Sequence, residues 1–259
     1  MTYWGNDLDR IRVIIDVQGF FVNKTPLRIG IGRTEKIGVD LPILRIRDAA
    51  GTVKPLIPGS SLKGVFRSYL ENIARQKYPE LWICNPFNNE DKLVEDEKDP
   101  CLICQIMGGG GRRKRLASHV YVYDAYPEGK VETLFITRTA IDRVRGSVRS
   151  GALFKIEAVP PLVKWKFWMR IMNIDFIDEV EAPPPEDELR DKKIELLREL
   201  LRAFAKGEIR VGAMSSVGYG VIKLEPEKTR VIKSVLGAEE HVSELSLKEL
   251  LAGWFDEWK

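Results

Sequence analysis

The hydrophobic pattern changes period several times along the chain. Residues 11–22, "IRVIIDVQGFFV", place Ile11, Val13, Ile15 and Val17 at alternate positions, the spacing of a strand with one buried face. In residues 57–75, "IPGSSLKGVFRSYLENIAR", Leu62, Val65, Phe66, Tyr69, Leu70 and Ile73 recur at three and four. That spacing predicts an amphipathic helix whose other face carries Lys63, Arg67, Glu71 and Arg75. Between these elements lies a loop-like stretch, residues 23–61, with five glycines and four prolines; a loop of that length is usually functional or mobile. Strand-like runs follow at 119–126, 131–138 and 163–171. "APPPEDE" (182–188) stops one element and starts a helix whose Leu189, Ile194, Leu197, Leu201 and Phe204 face a core. Residues 209–224 read as strand, glycine-rich turn, strand, and a polar tail ends in a short amphipathic helix near 246–258. The order strand, helix, strands, helix, strand predicts an α+β protein with a ferredoxin-like or RRM-like βαββαβ core and long insertions, one domain over 1–259.

Composition narrows the class. With 44% hydrophobic residues among 259, the chain can bury a sizeable core. No apolar run approaches the 18 residues a membrane helix needs, so no membrane partner is expected. The start, "MTYWGNDLDRIR", lacks a signal-peptide pattern, and three cysteines do not make a disulfide framework; both point to the cytoplasm. Net charge is only +3, but residues 105–150 carry nine Arg/Lys against four Asp/Glu, and residues 175–200 ten acids against four bases. Such a split is either a pair of solvated faces or one face built for a polyanion.

The candidate chemistry sits in five places. "GSSLKG" (59–64) is not a Walker A loop, because Lys63 precedes the second glycine. It offers instead a helix start where Ser60 or Ser61 caps while spare N–H groups, Lys63 and Arg67 face an anion; the plain alternative is an ordinary serine cap. "MSSVGYG" (214–220) is a hairpin turn or a backbone nest for phosphates, with only a faint echo of an RRM motif. Cys84 with the C-x-x-C pair Cys101 and Cys104 suits Zn²⁺, with His119 or a carboxylate as fourth ligand; the alternative is buried free thiols. The basic runs "GGGGRRKRLASH" (108–119) and "TRTAIDRVRGSVRSG" (137–151), with Arg138, Arg143, Arg145 and Arg149, form a phosphate-binding footprint. Asp40, in "KIGVDLPILR", is by its residues alone a solvated loop aspartate, or else a metal ligand or general base.

Taken together, "TPLRIGIG" (25–32), "GVDLPILR" (38–45), "IPGSSLKGVFRSYLE" (57–71), "CLICQIMGG" (101–109), "VYDAY" (122–126), "AIDRVRGSVRSGALFKIEAVP" (140–160) and "SSVGYGVIKL" (215–224) resemble, in order, the RAMP proteins of CRISPR systems. The likeness is to the repeated backbone subunit of type III interference complexes. It departs at Pro161, where relatives carry glycine, in the tryptophan-rich "VKWKFWMRI" and in the expanded glycines 108–111.

The resemblance implies an RRM-like core with insertions at about 23–57 (the loop with Asp40), 78–118 (the cysteines) and 127–165 (a thumb hairpin). It implies copies assembling side by side, with other subunits, along a guide CRISPR RNA. Arg28, Gly30, Gly32, Gly59, Ser60, Ser61, Lys63, Gly64 and Arg67, the hairpin arginines, and Ser215, Ser216, Gly218, Tyr219 and Gly220 then contact RNA. Asp40 belongs to the centre that cuts the complementary target RNA, with Mg²⁺ or another divalent metal and the 2′-hydroxyl beside the scissile phosphate. A structural Zn²⁺ in the cysteine insertion also occurs among relatives, which supports Cys84, Cys101 and Cys104 as ligands, with His119 the candidate fourth. The same scaffold as a non-cutting RNA-binding module is the first alternative. A repeat-processing endoribonuclease using His119 or His241 is the second.

Overall fold

A computed structural model describes residues 8, 10–31, 39–85, 88, 90–91, 100–109, 116–177, 188–237 and 241–258, apart from the side chains of 149 and 150. Gly32 and the basic run at 112–115 lie outside the described residues.

The alternating pattern at the start does form a long strand, β1 (Val13–Asn23), with Ile15, Val17 and Phe21 fully buried. β1 is the centre of a seven-stranded, wholly antiparallel sheet. On one side it pairs with β7 (Lys164–Met172), and β7 with the short edge strand β4 (Val120–Val122). On the other side β1 divides its length between two partners. β10 (Arg230–Val235) takes Val13–Gln18 and β9 (Val221–Leu224) takes Phe21–Asn23. β8 (Ile209–Arg210) pairs with β9, and β11 (His241–Ser246) closes the far edge beyond β10. The polar tail therefore contributes two strands that its composition hid.

Two long helices cover one face. α1 (Gly59–Lys77) buries Leu62, Phe66, Leu70 and Ala74, a four-residue repeat along one stripe. α2 (Leu102–Met107) is short, and α3 (Arg190–Lys206) turns Leu196, Leu197, Leu200, Leu201 and Phe204 inward. Phe204 is the meeting point. Its ring centre lies 5.5 Å from Phe21 of β1, 5.5 Å from Phe66 of α1 and 5.2 Å from Phe167 of β7. Burying each such ring contributes roughly 1.5–3 kcal/mol, so this knot fixes how helices and sheet meet. A last helix, α4 (Leu247–Trp254), anchors through Leu247 and Leu251. The opposite face of the sheet is open: along β7 the buried Trp165, Phe167, Met169 and Ile171 alternate with Lys166, Trp168 and Arg170.

The long early loop carries a small ribbon, β2 (Arg45–Arg47) with β3 (Val53–Pro55). A separate two-stranded hairpin, β5 (Leu134–Ile141) with β6 (Val148–Ala158), stands off the sheet. Its outer half is exposed, with Val144 at 95% at the tip between Arg143 and Arg145. Among the described residues no helix is long and apolar enough to cross a membrane.

Candidate nucleic-acid interface

Asp40 is not a free loop residue. Its Oδ2 accepts the Lys155 N–H at 2.7 Å, and its own N–H donates to the Lys155 carbonyl at 3.2 Å. Leu41 continues the contact as a parallel bridge to Ile156, with the Glu157 N–H donating to the Leu41 carbonyl at 3.1 Å. The segment around Asp40 thus lies along the base of the hairpin through a bridge, and among the described residues Asp40 Oδ1 has no hydrogen-bond partner. A buried carboxylate, Glu157, locks the arrangement. It accepts from the Ile43 N–H, the Thr133 hydroxyl and the Arg45 guanidinium. Burial opposes ionisation of Glu157, but Arg45 and these hydrogen bonds outweigh it and hold its pKa below the ordinary value. Composition gave no reason to single out Lys155, Glu157 or Arg45, because what matters is their pairing across more than a hundred positions.

Beneath Asp40 lies a second small core of Ile156, Ala158 and Tyr219, with Leu41, Ile136, Phe154 and Met214 packed on it. This joins three predicted segments: the Asp40 loop, the hairpin and the glycine-rich turn. It also gives three of the expected RNA contacts internal partners. Tyr219 is only 4% exposed and accepts a hydrogen bond from Arg138 at 2.9 Å, so both residues tie the hairpin to the turn. Arg28 is buried too, and burial pushes its pKa down. Its guanidinium folds over Gly30 and donates to the Leu41 carbonyl at 3.4 Å, supporting the Asp40 segment from behind. Gly220 keeps the turn close: at φ +79°, its missing side chain leaves room for the Val211 carbonyl, 2.1 Å from where a Cβ would sit. Ser215 and Ser216 are exposed in a 3-10 turn ending at Gly218, and among the described residues no acceptor faces their N–H groups. Arg143 and Arg145 are exposed at the hairpin tip, and Arg149 lies in β6.

The start of α1 differs from its expectation. The cap residue is Pro58, and neither Ser60 nor Ser61 caps through its side chain. Asp124 takes that role from across the fold, its Oδ1 accepting the Gly59 N–H at 2.8 Å and placing a negative charge at the positive end of the helix. Ser61 and Leu62 N–H groups bond the Pro58 carbonyl, which leaves the Ser60 amide of the first turn without an acceptor among the described residues. Gly59 is needed because a Cβ there would sit 2.1 Å from the Val122 carbonyl; beside Gly64, in contrast, there is open space. Lys63 remains on this surface, donating to Ser118 Oγ at 2.7 Å, its pKa lowered by burial and then by Arg67.

Arg67 does not face outward. It donates to Glu71 at 2.8 Å, to the Gly108 carbonyl at 2.7 Å and to Cys104 Sγ at 3.1 Å. Burial works against its charge, yet Cys104 and Glu71 together hold its pKa above the ordinary value. The thiols of Cys84, Cys101 and Cys104 are all buried, with their sulfurs within 4.8 Å of one another. Soft, buried donors at that spacing fit a tetrahedral metal such as Zn²⁺, whose Zn–S bonds are about 2.3 Å. Without metal the three compete for protons. Hydrogen bonds from Cys104 and Cys84 pull the Cys101 thiol down, and the bonds to Cys101 push the other two up. His119 is not part of this group. Its Nδ1 faces the Met172 carbonyl at 2.8 Å, because the strand after Ser118 turns it toward β7.

Residues 21–223 match the RAMP superfamily, and the chain belongs to it. It is also 31% identical over 221 residues, 82% of this chain and 79% of the other, to the CRISPR system Cms endoribonuclease Csm3 of Methanocaldococcus jannaschii.

Proposed function

We propose that this protein is the guide-RNA-binding backbone subunit of a type III CRISPR interference complex and that it cuts guide-complementary target RNA. The observation that carries the reading is the fixed position of Asp40 at the base of a projecting hairpin, with one carboxylate oxygen bound to the Lys155 N–H and the other unpartnered among the described residues. The likeness to an endoribonuclease of a CRISPR system supports cleavage as the activity. The strand order β9–β1–β7–β4, with α1 and α3 as crossovers, supports a ferredoxin-like core in one domain.

The guide runs past the α1 start, on the Ser60 amide and Lys63, with Gly64 leaving room for its backbone. The open amides of Ser215 and Ser216 and the arginines Arg143, Arg145 and Arg149 hold further phosphates. In cleavage, Asp40 Oδ1 accepts the proton of the 2′-hydroxyl while the 2′-oxygen attacks the adjacent phosphorus and the 5′-oxygen leaves. A divalent ion supplies charge neutralisation at that phosphate when bound. This chain presents Asp40 as a single carboxylate there, since among the described residues only the cysteines form a group of three metal-binding side chains. Cys84, Cys101 and Cys104 hold a structural Zn²⁺ that pins the insertion to α1 through Arg67. Copies of the chain and other subunits assemble along the guide in the cytoplasm. The test is cleavage by the guide-loaded assembly carrying Asp40→Ala, which should bind target and leave it intact; unchanged cleavage would move the active site elsewhere.

A further inference from the structure

The open face of the sheet holds a cleft of about 780 Å³ that plays no part in the reading above. Phe20, Tyr123, Lys166, Trp168, Lys228 and Arg230 are among the residues that line it. It opens where β1 changes partner from β10 to β9. Gly19 sits at that point. A Cβ there would lie 2.3 Å from Thr229 Oγ1 and 2.7 Å from the Lys228 carbonyl, so glycine lets the 226–229 turn close on β1 and brings Lys228 to the cleft.

Two of the lining residues form an ordered aromatic stack. Tyr123 lies on Trp168 with ring centres 3.8 Å apart and planes at 17°. The Trp168 indole N–H donates to Asp16 at 2.7 Å, and Asp16 also holds Arg170 through both carboxylate oxygens, at 2.9 and 2.8 Å. The orientation of the stack is therefore set before any ligand arrives, yet both rings are 36% exposed. A rigid, solvent-open pair of rings is a surface that a nucleobase extends by stacking.

The charges around it select an anion. Lys166 has no acidic partner among the described residues. Among the described residues, Lys228 pairs only with the half-buried Glu225 and Arg230 only with the exposed Glu244, contacts at the surface that add little and that a phosphate can replace. The one acid lining the cleft, Asp124, is directed at the Gly59 N–H. An apolar peptide would leave these cations unmatched, whereas a nucleotide matches both ring and charge.

We propose that this face is a second RNA contact, where one base of a single strand stacks on Tyr123 and Trp168 and its flanking phosphates take Lys166 and Arg230. The choice of RNA as ligand rests on the functional reading above. A strand held at α1 reaches the cleft around the sheet edge, because Lys63 Nζ lies 6.0 Å from the ring centre of Tyr121, two residues before Tyr123.

The test uses the purified full chain and a short single-stranded oligouridylate carrying photoreactive iodouracil. Cross-links should map to Tyr123 or Trp168 and persist in Lys63→Ala. Tyr123→Ala should weaken binding roughly tenfold, and Lys166→Gln should lower the log–log salt slope by about 0.7. Cross-links confined to α1 and the 212–220 turn, with Tyr123→Ala binding as wild type, would overturn this inference and leave the guide site standing. Sheet-face cross-links with Lys63→Ala binding unchanged would keep it and count against the guide site on α1. No binding by the wild type at low salt, or a co-purifying protein cross-linked at Tyr123 instead of RNA, would overturn it.

Discussion

Asp40 and Lys155 form a two-point contact, carboxylate to N–H at 2.7 Å and N–H to carbonyl at 3.2 Å, across 115 positions of sequence. The catalytic candidate is thereby set by the backbone of the hairpin rather than by its own loop. Lys155→Pro removes the N–H that holds the carboxylate without changing Asp40 itself. Target cleavage should fall by about 100-fold, the scale expected when a reacting group moves by an ångström, while guide binding stays within twofold. Single-turnover rates on the assembled complex check this.

The two glycines framing the α1 start should behave oppositely. Gly59→Ala drives a Cβ into the Val122 carbonyl and should cost about 2–3 kcal/mol or prevent folding. Gly64→Ala meets nothing, replaces a poor helix former and should raise stability by roughly 0.5–1 kcal/mol. If the guide passes there, the stabilised variant should nevertheless bind guide RNA more weakly. Denaturant titration and RNA binding on the same preparations separate the two effects.

Lys63 and Arg67 are neighbours on α1 with different work. Arg67→Met breaks three internal hydrogen bonds and should lower stability by about 1–3 kcal/mol with an unchanged salt slope for RNA binding. Lys63→Ala should leave stability nearly intact and lower the slope by about 0.7–0.9. Elemental analysis should find zinc in proportion to the chain, and its removal should loosen the packing of α2 on Arg67.

Glu157 gives the protein an acid-sensitive joint. Its pKa is lower folded than unfolded, so its contribution is fully present above the unfolded carboxylate value and is lost as pH falls through the folded one. Stability should therefore decline below about pH 4.5. Glu157→Gln should flatten that acid limb, read by thermal unfolding at stepped pH.

The elements with a clean period were legible in the sequence. β1, α1 and α3 follow from spacing alone, and Phe66 and Phe204 meet where the pattern places them. β10 was hidden because Lys233 occupies an inward position, where its ammonium pairs with Asp175 at 2.6 Å and breaks the apolar alternation. The site was legible only as a set of segments. That Asp124 caps α1 from 65 positions away, that Arg67 turns to the cysteines and that Tyr219 is buried against Arg138 are tertiary facts with no local signal. A serine beside a helix start and an arginine on its polar face have the same pattern whether they meet RNA or the protein itself.

The most direct measurement is cleavage of a guide-complementary RNA by the guide-loaded assembly with Mg²⁺, comparing wild type with Asp40→Ala at matched target occupancy. The account predicts that wild type gives evenly spaced cuts and that Asp40→Ala retains the target uncut. Equal cutting by the two would contradict the assignment of Asp40 and place the ribonuclease in another residue or subunit.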